Sequence, residues 1–362
     1  MGCGSSVPYA FDDSMCYRES VKVVEEKLEV EKGGWKVHLC SWIKTGGDVK
    51  GLVVICHGLF EHGLRFHKVA SRLAELGYAV YAQDHCWHGR TTLEGEERGI
   101  IRDHTAILDS FVKVTEMVSA RHAAGLPRFC VAHSMGTMIT LNTHQRLDWQ
   151  GVVFSGTATV AGPGGASPFG CRCLFPLSKA ETVLACVLSC MSALDPKGPV
   201  SPILPRDLME DPDGLDAVAR DPHRFHGWLC NITAREIARL LQGAKNPSTL
   251  SSFKRPFTAI HGSNDSICLP ASAQMLIDQT STPADQKHQV VIDGMMHECL
   301  KDPMDGSYPG VKAAVEAIEN MFDARAAQPI EMQVEVEAEK KVEEGEAEAT
   351  VVDVVTESDV SV

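Results

Sequence analysis

A mostly parallel β-sheet with helices on both faces is the architecture this sequence predicts. Three observations predict it. Short apolar runs rich in β-branched residues alternate with longer stretches of helical periodicity, the signature of repeated βα units. An alternating pattern around a Gly-Gly pair precedes them, which suggests an antiparallel hairpin at one sheet edge. The βα alternation breaks once, after Thr159, and resumes at Arg255.

The elements follow in order. "SVKVVEEKLEVEKGGWKVHLCSWIK" (Ser20–Lys44) supplies the hairpin. "GLVVICHG" (Gly51–Gly58) reads as a buried strand, and "FHKVASRLAELG" (Phe66–Gly77) as a helix closed by glycine. "YAVYAQD" (Tyr78–Asp84) is the next strand and "HTAILDSFVKVTEMVSARHAAG" (His104–Gly125) the next helix. Strand "RFCVAHS", helix "MGTMITLNTHQRL" and strand "QGVVFSG" take the chain to Gly156. Residues 160–252 are rich in Gly, Pro and short helices and read as a lid inserted into the α/β core. Their most apolar helix is "KAETVLACVLSCMSALDP" (Lys179–Pro196), whose uncharged part, Thr182–Leu194, is too short to cross a bilayer. "RPFTAIHGSND", "SAQMLIDQT", "HQVVIDG" and "GVKAAVEAIENMF" then restore strand, helix, strand and helix. The expected organisation is a core over 18–159 and 253–325, a lid over 160–252, an N-terminal segment over 1–17 and a disordered acidic tail over 326–362.

Charge narrows the functional classes. The net charge is −14. From Ala326 onward there are eleven acidic residues and two lysines, a net of −9, which leaves the remainder near −5. No basic surface for nucleic acid follows from this composition. The 13 cysteines are odd in number, several sit in apolar runs (Cys56, Cys130, Cys186), and no secretory signal opens the chain. Reduced thiols in a cytosolic compartment are therefore expected. Cys171, Cys173, Cys186 and Cys190 lack histidines at zinc-finger spacing, so no metal or cofactor is expected.

The chemistry centres on "FCVAHSMGTMIT" (Phe129–Thr140). Ser134 lies between a strand and a helix in Ala132-His133-Ser134-Met135-Gly136, a variant of G-x-S-x-G with alanine in the first position. Small residues are needed there because strand and helix pass closely. An α/β-hydrolase presents its triad in the order Ser, acid, His. His288 and His297 are the histidines after Asp265. His288 begins the last predicted strand, whereas His297 follows it, at the end where active sites of open α/β sheets gather. Asp265 follows a strand end; Asp293 is the competing acid, within the histidine's own loop. Ser134 as nucleophile, His297 as base and Asp265 as its orienting acid are thus expected. The oxyanion would meet the backbone N–H groups of Met135 and Leu59.

With these residues in view, the chain resembles the monoacylglycerol lipase and lysophospholipase-like family of α/β-hydrolases, of the serine aminopeptidase S33 type. "HGLFEHGLRF" (His57–Phe66) resembles H-G-x-x-E-H-x-x-R-[YF], and "LPRFCVAHSMG" resembles L-P-x-F-x-x-G-H-S-M-G. "AQDHCWHGR" resembles D-x-x-G-H-G, with Trp87 in place of glycine. "HGSNDSIC" is close to G-S-x-D-x-x-C, "DGMMHECLKD" is similar to the family's histidine loop, and "DPHRFHG" (Asp221–Gly227) is similar to a lid segment. Thr137 stands where a second glycine is usual. The resemblance spans about Lys22 to Phe322. It implies an α/β-hydrolase fold with a helical lid, Glu61 and Arg65 lining the polar side of the pocket, and Cys268 near the acid, either as a target for thiol reagents or as an inert buried thiol. For Glu61 and Arg65 a structural ion pair under the loop is the other reading.

The expected function is hydrolysis of a carboxylic ester of a single-chain lipid, monoacylglycerol first, through an acyl-enzyme. A lysophospholipase or acyltransferase of the same fold is the alternative, and a non-catalytic ligand sensor or scaffold is the rival of a different class. "MGCGSS" fits M-G-x-x-x-[ST], so myristoylation of Gly2 and palmitoylation of Cys3 are expected. One myristoyl chain binds membranes only marginally, and no Lys or Arg lies before Asp13 to help. Partners would then be a lipid ester and the cytoplasmic face of a membrane; the sequence does not set the oligomeric state.

Overall fold

A computed structural model of the chain describes residues 20–30, 32–91, 93–159, 187–301, 303 and 307–326. Residues up to Met321 form one compact unit. Phe322–Val362 form a second, described only for the last residues of the final helix.

The sheet follows from the alternation. β1 (Val21–Val30) and β2 (Trp35–Lys44) pair in antiparallel register around Gly33 and Gly34, whose φ of 84° and 67° explain why glycines occupy that turn. β3 (Gly51–Cys56), β4 (Tyr78–Gln83), β5 (Arg128–His133), β6 (Gly151–Ser155), β9 (Phe257–Gly262) and β10 (Lys287–Ile292) are mutually parallel. The order across the eight strands is β1-β2-β4-β3-β5-β6-β9-β10, with β2 antiparallel to β4. β3, β4, β6 and β9 are buried along their whole length, as continuous apolar runs require of strands covered on both faces.

Helices α1 (His67–Glu75), α2 (His104–Ser119), α3 (Met135–Thr143) and α9 (Pro309–Ala326) lie between or after these strands. Asp103 starts α2 by accepting the Thr105 N–H. That helix ends at Ser119, although its sequence pattern extends to Gly125. Beyond Val118 the stretch has little left to bury. His122 leaves the helical path to meet the Tyr81 hydroxyl at 2.7 Å.

The inserted stretch holds α4 over 187–194, a small antiparallel pair β7 (Pro199–Ser201) and β8 (Leu229–Cys230), α5 (Pro212–Arg220), α6 (Asn231–Ala244) and α7 (Pro247–Ser252). Its parts have different tasks. Leu240, Ala244 and Leu250, on α6 and α7, belong to the main core with Ile139 and Leu141 of α3. Leu188, Leu229 and Ala234 form a smaller cluster with Phe60, in the loop after β3. α8 (Ala271–Gln279) covers the far end of the sheet. No described helix is long and apolar enough to cross a membrane.

The parallel strands all end on one side, so the loops after β3, β5, β9 and β10 converge. They carry Gly58–Arg65, Ser134, Asp265 and His297 respectively.

Candidate active site

Backbone strain marks the convergence. Three non-glycine residues among those described have positive φ: Phe60 (65°), Trp87 (63°) and Ser134 (52°). They follow β3, β4 and β5 in turn. Such conformations cost about 1–3 kcal/mol each and persist only where the surroundings fix them. Trp87 is held by Trp35, 4.8 Å away edge-on, and by its Nε1–H, which donates to Glu96. This explains how tryptophan occupies a turn position where glycine would be easier.

Ser134 is the junction between β5 and α3. Its N–H donates to the Ser155 carbonyl at 3.0 Å and its carbonyl accepts from Thr137 N–H at 2.9 Å, so the strained turn is fixed from both sides. A Cβ on Gly136 would collide with the Cys56 carbonyl of β3. Met135 opens α3, so its N–H has no acceptor within the helix.

The loop after β3 is held by two devices. The Glu61 carboxylate accepts the Gly58 N–H at 2.6 Å. His57 Nε2 accepts the His85 N–H at 2.9 Å, which leaves the proton on Nδ1 to donate to the Gly58 carbonyl at 2.8 Å. Burial, helped by the neighbouring His88, holds the His57 pKa well below the usual range, so the ring stays neutral and keeps this tautomer. The Gly58 carbonyl and the Leu59 N–H share one peptide plane, so His57 also fixes where that N–H points.

His297 and Asp265 come together from the last two strands. His297 Nδ1–H donates to Asp265 Oδ2 at 2.8 Å. His261 Nε2 lies 3.0 Å from the same oxygen, while Oδ1 accepts the N–H groups of Ile267 and Cys268, each at 2.9 Å. Burial alone would raise this carboxyl's pKa. The His297 imidazole and the hydrogen bonds outweigh it and hold Asp265 well below the ordinary carboxylate range. Asp293 is exposed and accepts from Ser263 Oγ at 3.1 Å, away from His297. His288 is likewise exposed on β10. Cys268 is buried, and burial, with Asp265 beside it, raises its thiol pKa well above normal, which makes it a poor nucleophile.

Ser134 and His297 face one cavity of ≈ 30 Å³. Leu59, Glu61, Arg65 and His133 line it from the core, and Ile203, Leu208 and Arg224 from the inserted stretch. A larger hollow of ≈ 250 Å³ lies at the opposite ends of the strands, by Leu52, Arg128 and Gln150, remote from Ser134.

Beneath the cavity lies a buried ion network. Arg65 grips Glu298 through two bonds of 2.9 and 2.7 Å and also donates to Glu61 at 2.9 Å. Lys301 donates to Glu61 at 2.5 Å and lies 3.4 Å from Glu298. Two acids and two bases therefore balance. Burial would raise the Glu298 pKa, but Arg65 and Lys301 bring it down to about 2. Glu61, His133 and Glu298 are close enough to hold a metal, as are Glu25, His38 and Cys40, and Asp103, His104 and Glu236. In the first group the carboxylates are already engaged by Arg65 and Lys301. In the third, Glu236 is bonded to His104, Arg235 and Arg239.

A serine on a strained strand–helix turn, a neutral-tautomer histidine scaffold and an Asp-anchored imidazole are the parts needed for nucleophilic acyl transfer. Residues 47–304 match the family model described as serine aminopeptidase, S33. The chain belongs to that family. It is an ester-hydrolysing serine hydrolase of the α/β-hydrolase fold. Among curated relatives, a monoacylglycerol lipase of Mycolicibacterium smegmatis is 30% identical over 75% of this chain and 89% of its own length. A caffeoylshikimate esterase of Arabidopsis thaliana is 26% identical over 80% of this chain and 83% of its own. Among solved structures, a soluble variant of monoglyceride lipase from Saccharomyces cerevisiae in complex with a substrate analog aligns with TM-score 0.66 and 18% identity. It covers 88% of this chain and 98% of that one. This last likeness concerns the fold.

Glu298, Lys301, Arg224 and His57 are site residues that reasoning from the sequence did not single out. Glu298 and Lys301 adjoin His297 in "MMHECLKD", and two opposite charges three residues apart beside a predicted base were the available signal. Gly2, Cys3, the expected lid residues 160–186 with Cys171, Cys173 and Cys186, and the tail from 327 lie outside the described residues.

Proposed function

We propose that this hydrolase cleaves the carboxylic ester of single-chain lipids, monoacylglycerol first, with Ser134 as nucleophile, His297 as base and Asp265 as its partner. The observation that carries the proposal is the joint placement of Ser134 and His297 on one cavity, with Asp265 bonded to the far side of the imidazole. His297 takes the Ser134 proton as Oγ attacks the ester carbon. Asp265 stabilises the imidazolium that results. The oxyanion is received by the N–H groups of Leu59 and Met135, each such donor worth ~3 kcal/mol in the transition state. His297 then protonates the leaving alcohol, and a water repeats the sequence on the acyl-enzyme. Glu61 and Arg65 act here mainly by shaping the loop that presents Leu59, since their charges are satisfied by Gly58, Glu298 and Lys301. The relatives named for monoacylglycerol support the substrate; the Arabidopsis relative keeps a different ester in view.

The apolar lining from Ile203 and Leu208 supports an acyl chain held by the inserted stretch, which acts as the lid. Leu194 and Trp228 of that stretch are 88% and 55% exposed and offer apolar contact to a lipid surface. Acylation at Gly2 and Cys3 completes the proposal, as a cytosol-facing membrane anchor. Two experiments test it. A fluorophosphonate probe should label the wild type and not Ser134→Ala; folded wild type that resists the probe refutes the enzyme reading. In cells, wild type should sediment with membranes and Gly2→Ala should not; equal sedimentation refutes the anchor.

A further inference from the structure

A second polar cluster lies on the β1–β2 hairpin. Glu25 of β1 stands directly across from Cys40 of β2, and His38 is two residues along β2, so the three side chains share one face. Val37 and Leu39, on the opposite face, belong to the main core. His38 is 5% exposed and Cys40 is buried, whereas Glu25 is exposed. The donor atoms of the three lie within 4.8 Å of one another. Arg90 Nη1 lies 3.0 Å from His38 Nε2, and a guanidinium can only donate, so this nitrogen presents its lone pair. The ring proton is then on Nδ1, 3.2 Å from Asp84 Oδ2. Burial would raise the Asp84 pKa, but His38, His62 and the Arg90 N–H hold it below its ordinary value. The Gly63 and Arg90 N–H groups fix that carboxylate, each at 2.8 Å. A buried carboxylate behind an imidazole, with the far nitrogen's lone pair free to point outward, is how proteins orient metal-binding histidines.

That lone pair lies 3.0 Å from Glu25 Oε2. Two electron-pair donors keep such a separation only with a cation between them. Arg90 is that cation here, bonded to both Glu25 and His38. Its hold is not a buried one: the side chain is 24% exposed, and its Nε also donates to His223 Nε2 at 3.0 Å. The guanidinium can therefore swing outward without stranding a charge in the interior. A 2+ ion in its place would meet carboxylate, imidazole and sulfur together. Zinc bond lengths of about 2.0–2.3 Å put such ligands roughly 3–4 Å apart, a spacing that small rotations of the exposed Glu25 side chain reach.

We infer that Glu25, His38 and Cys40 form a binding site for a thiophilic divalent cation, Zn2+ by its ligand set, which takes the position of the Arg90 guanidinium. Sulfur and imidazole select zinc over magnesium or calcium. Three protein ligands leave a fourth, tetrahedral position for water on the exposed side beside Glu25. The exchange balances. The Cys40 S–H bond breaks, its proton goes to solvent, the sulfur binds the ion, and Arg90 leaves still protonated. One 2+ ion, one thiolate and one carboxylate are neutral together. Burial, with Asp84 beside it, holds the Cys40 thiol pKa well above normal, so the thiol keeps its proton until a cation arrives. Spacing along the chain hides such a site, because Glu25 and Cys40 meet across a hairpin. None of the three lines the Ser134 cavity, so the inference stands apart from the hydrolase reading.

Cobalt(II) is the probe, because a thiolate bound to it gives a near-ultraviolet charge-transfer band and a tetrahedral site gives visible bands. Full-length, chelator-stripped wild type should gain both on titration with Co2+, and Zn2+ should then erase them. Cys40→Ser should lose the charge-transfer band. Glu25→Gln, a change on the exposed rim, should bind Co2+ about tenfold or more weakly while melting like wild type in chelator. It keeps the test sharp if Cys40→Ser fails to fold. Arg90→Met should bind about tenfold more tightly, since the ion no longer has to break a charge-assisted pair. Zn2+ should raise the melting temperature of wild type over its value in chelator, and should not raise that of Cys40→Ser. The other cysteines remain in every variant, so cobalt held elsewhere shows as a band that persists. No band in wild type, a band unchanged in Cys40→Ser, wild-type affinity in Glu25→Gln, or binding by Arg90→Met no tighter than wild type each overturns the inference.

Discussion

Two polar clusters share one cavity and are built on opposite plans. Asp265 and the His297 imidazole it binds form a chain open toward Ser134, which lines the same cavity. Glu61, Arg65, Glu298 and Lys301 form a closed ring in which every charge meets an opposite one. An open chain can pass a proton along; a closed ring holds its members still. Substitution in the first should therefore abolish turnover and spare stability, and substitution in the second should first of all lower stability.

The largest expected effect is on the open chain. Ser134→Ala and His297→Ala should each lower kcat by about 10⁴-fold or more, since nucleophile and base act as a unit. Their melting temperatures should match wild type; a fall in either would show that the chain also carries the fold. Asp265→Asn should come next, with kcat reduced by roughly 10⁴-fold through the wrong imidazole tautomer. Asp293→Asn, whose carboxylate faces Ser263, should stay near wild type. If the two aspartates exchanged these outcomes, the acid would be misassigned.

The ring should respond in the denaturant midpoint. Glu298→Gln leaves Arg65 short of a buried partner and should cost about 3–5 kcal/mol of stability, the range for breaking a buried pair. A cost below ~1 kcal/mol would mean that the ring is no firmer than a surface ion pair.

Acid supplies a finer comparison. Glu298 and Asp221 are both held at about 2, Glu298 by Arg65 and Lys301 against burial, Asp221 by His62 against burial. A depressed carboxylate pKa stabilises the fold above the unfolded-state value, near 4, and the benefit fades as pH falls from there through about 2. Stability of wild type should therefore drop over that window. The drop should be shallower in Glu298→Gln, because one of the titrating groups is gone. The smallest effect belongs to Cys268→Ala. Its backbone N–H would still serve Asp265, and its thiol is protonated and buried, so kcat should move by less than about threefold.

The same two clusters show what a linear sequence exposes. The meeting of Ser134, Asp265 and His297 at one end of the sheet was legible because each follows a strand end in a fixed order, and strand ends are readable from apolar runs and turns. That Asp265 rather than Asp293 would lie against His297 was legible for the same reason, since β9 is a fully buried strand whose end must lie beside the end of β10. Half of the ring was legible through the motif around Glu61 and Arg65. Its other half was not, because Arg65 and Glu298 are 233 residues apart and nothing local announces their pairing. Arg224 was hidden more deeply. In "DPHRFHG" it reads as an ordinary loop arginine, and only its burial against the cavity sets it apart. The helix expected to run to Gly125 shows the opposite error, in which a favourable composition outlasted the surface available to cover it.

The ring also orders events in time. A ribosome releases Glu61 and Arg65 long before Glu298 and Lys301, so the nascent chain carries the first pair through synthesis with only each other as counter-charge. The loop beneath Leu59 therefore cannot settle until almost the whole first unit has emerged. Closing contacts of this sequence separation is slow. Esterase competence should be the last property the growing chain acquires, and any shortening that removes Glu298 and Lys301 should silence the site even where most of the sheet has formed.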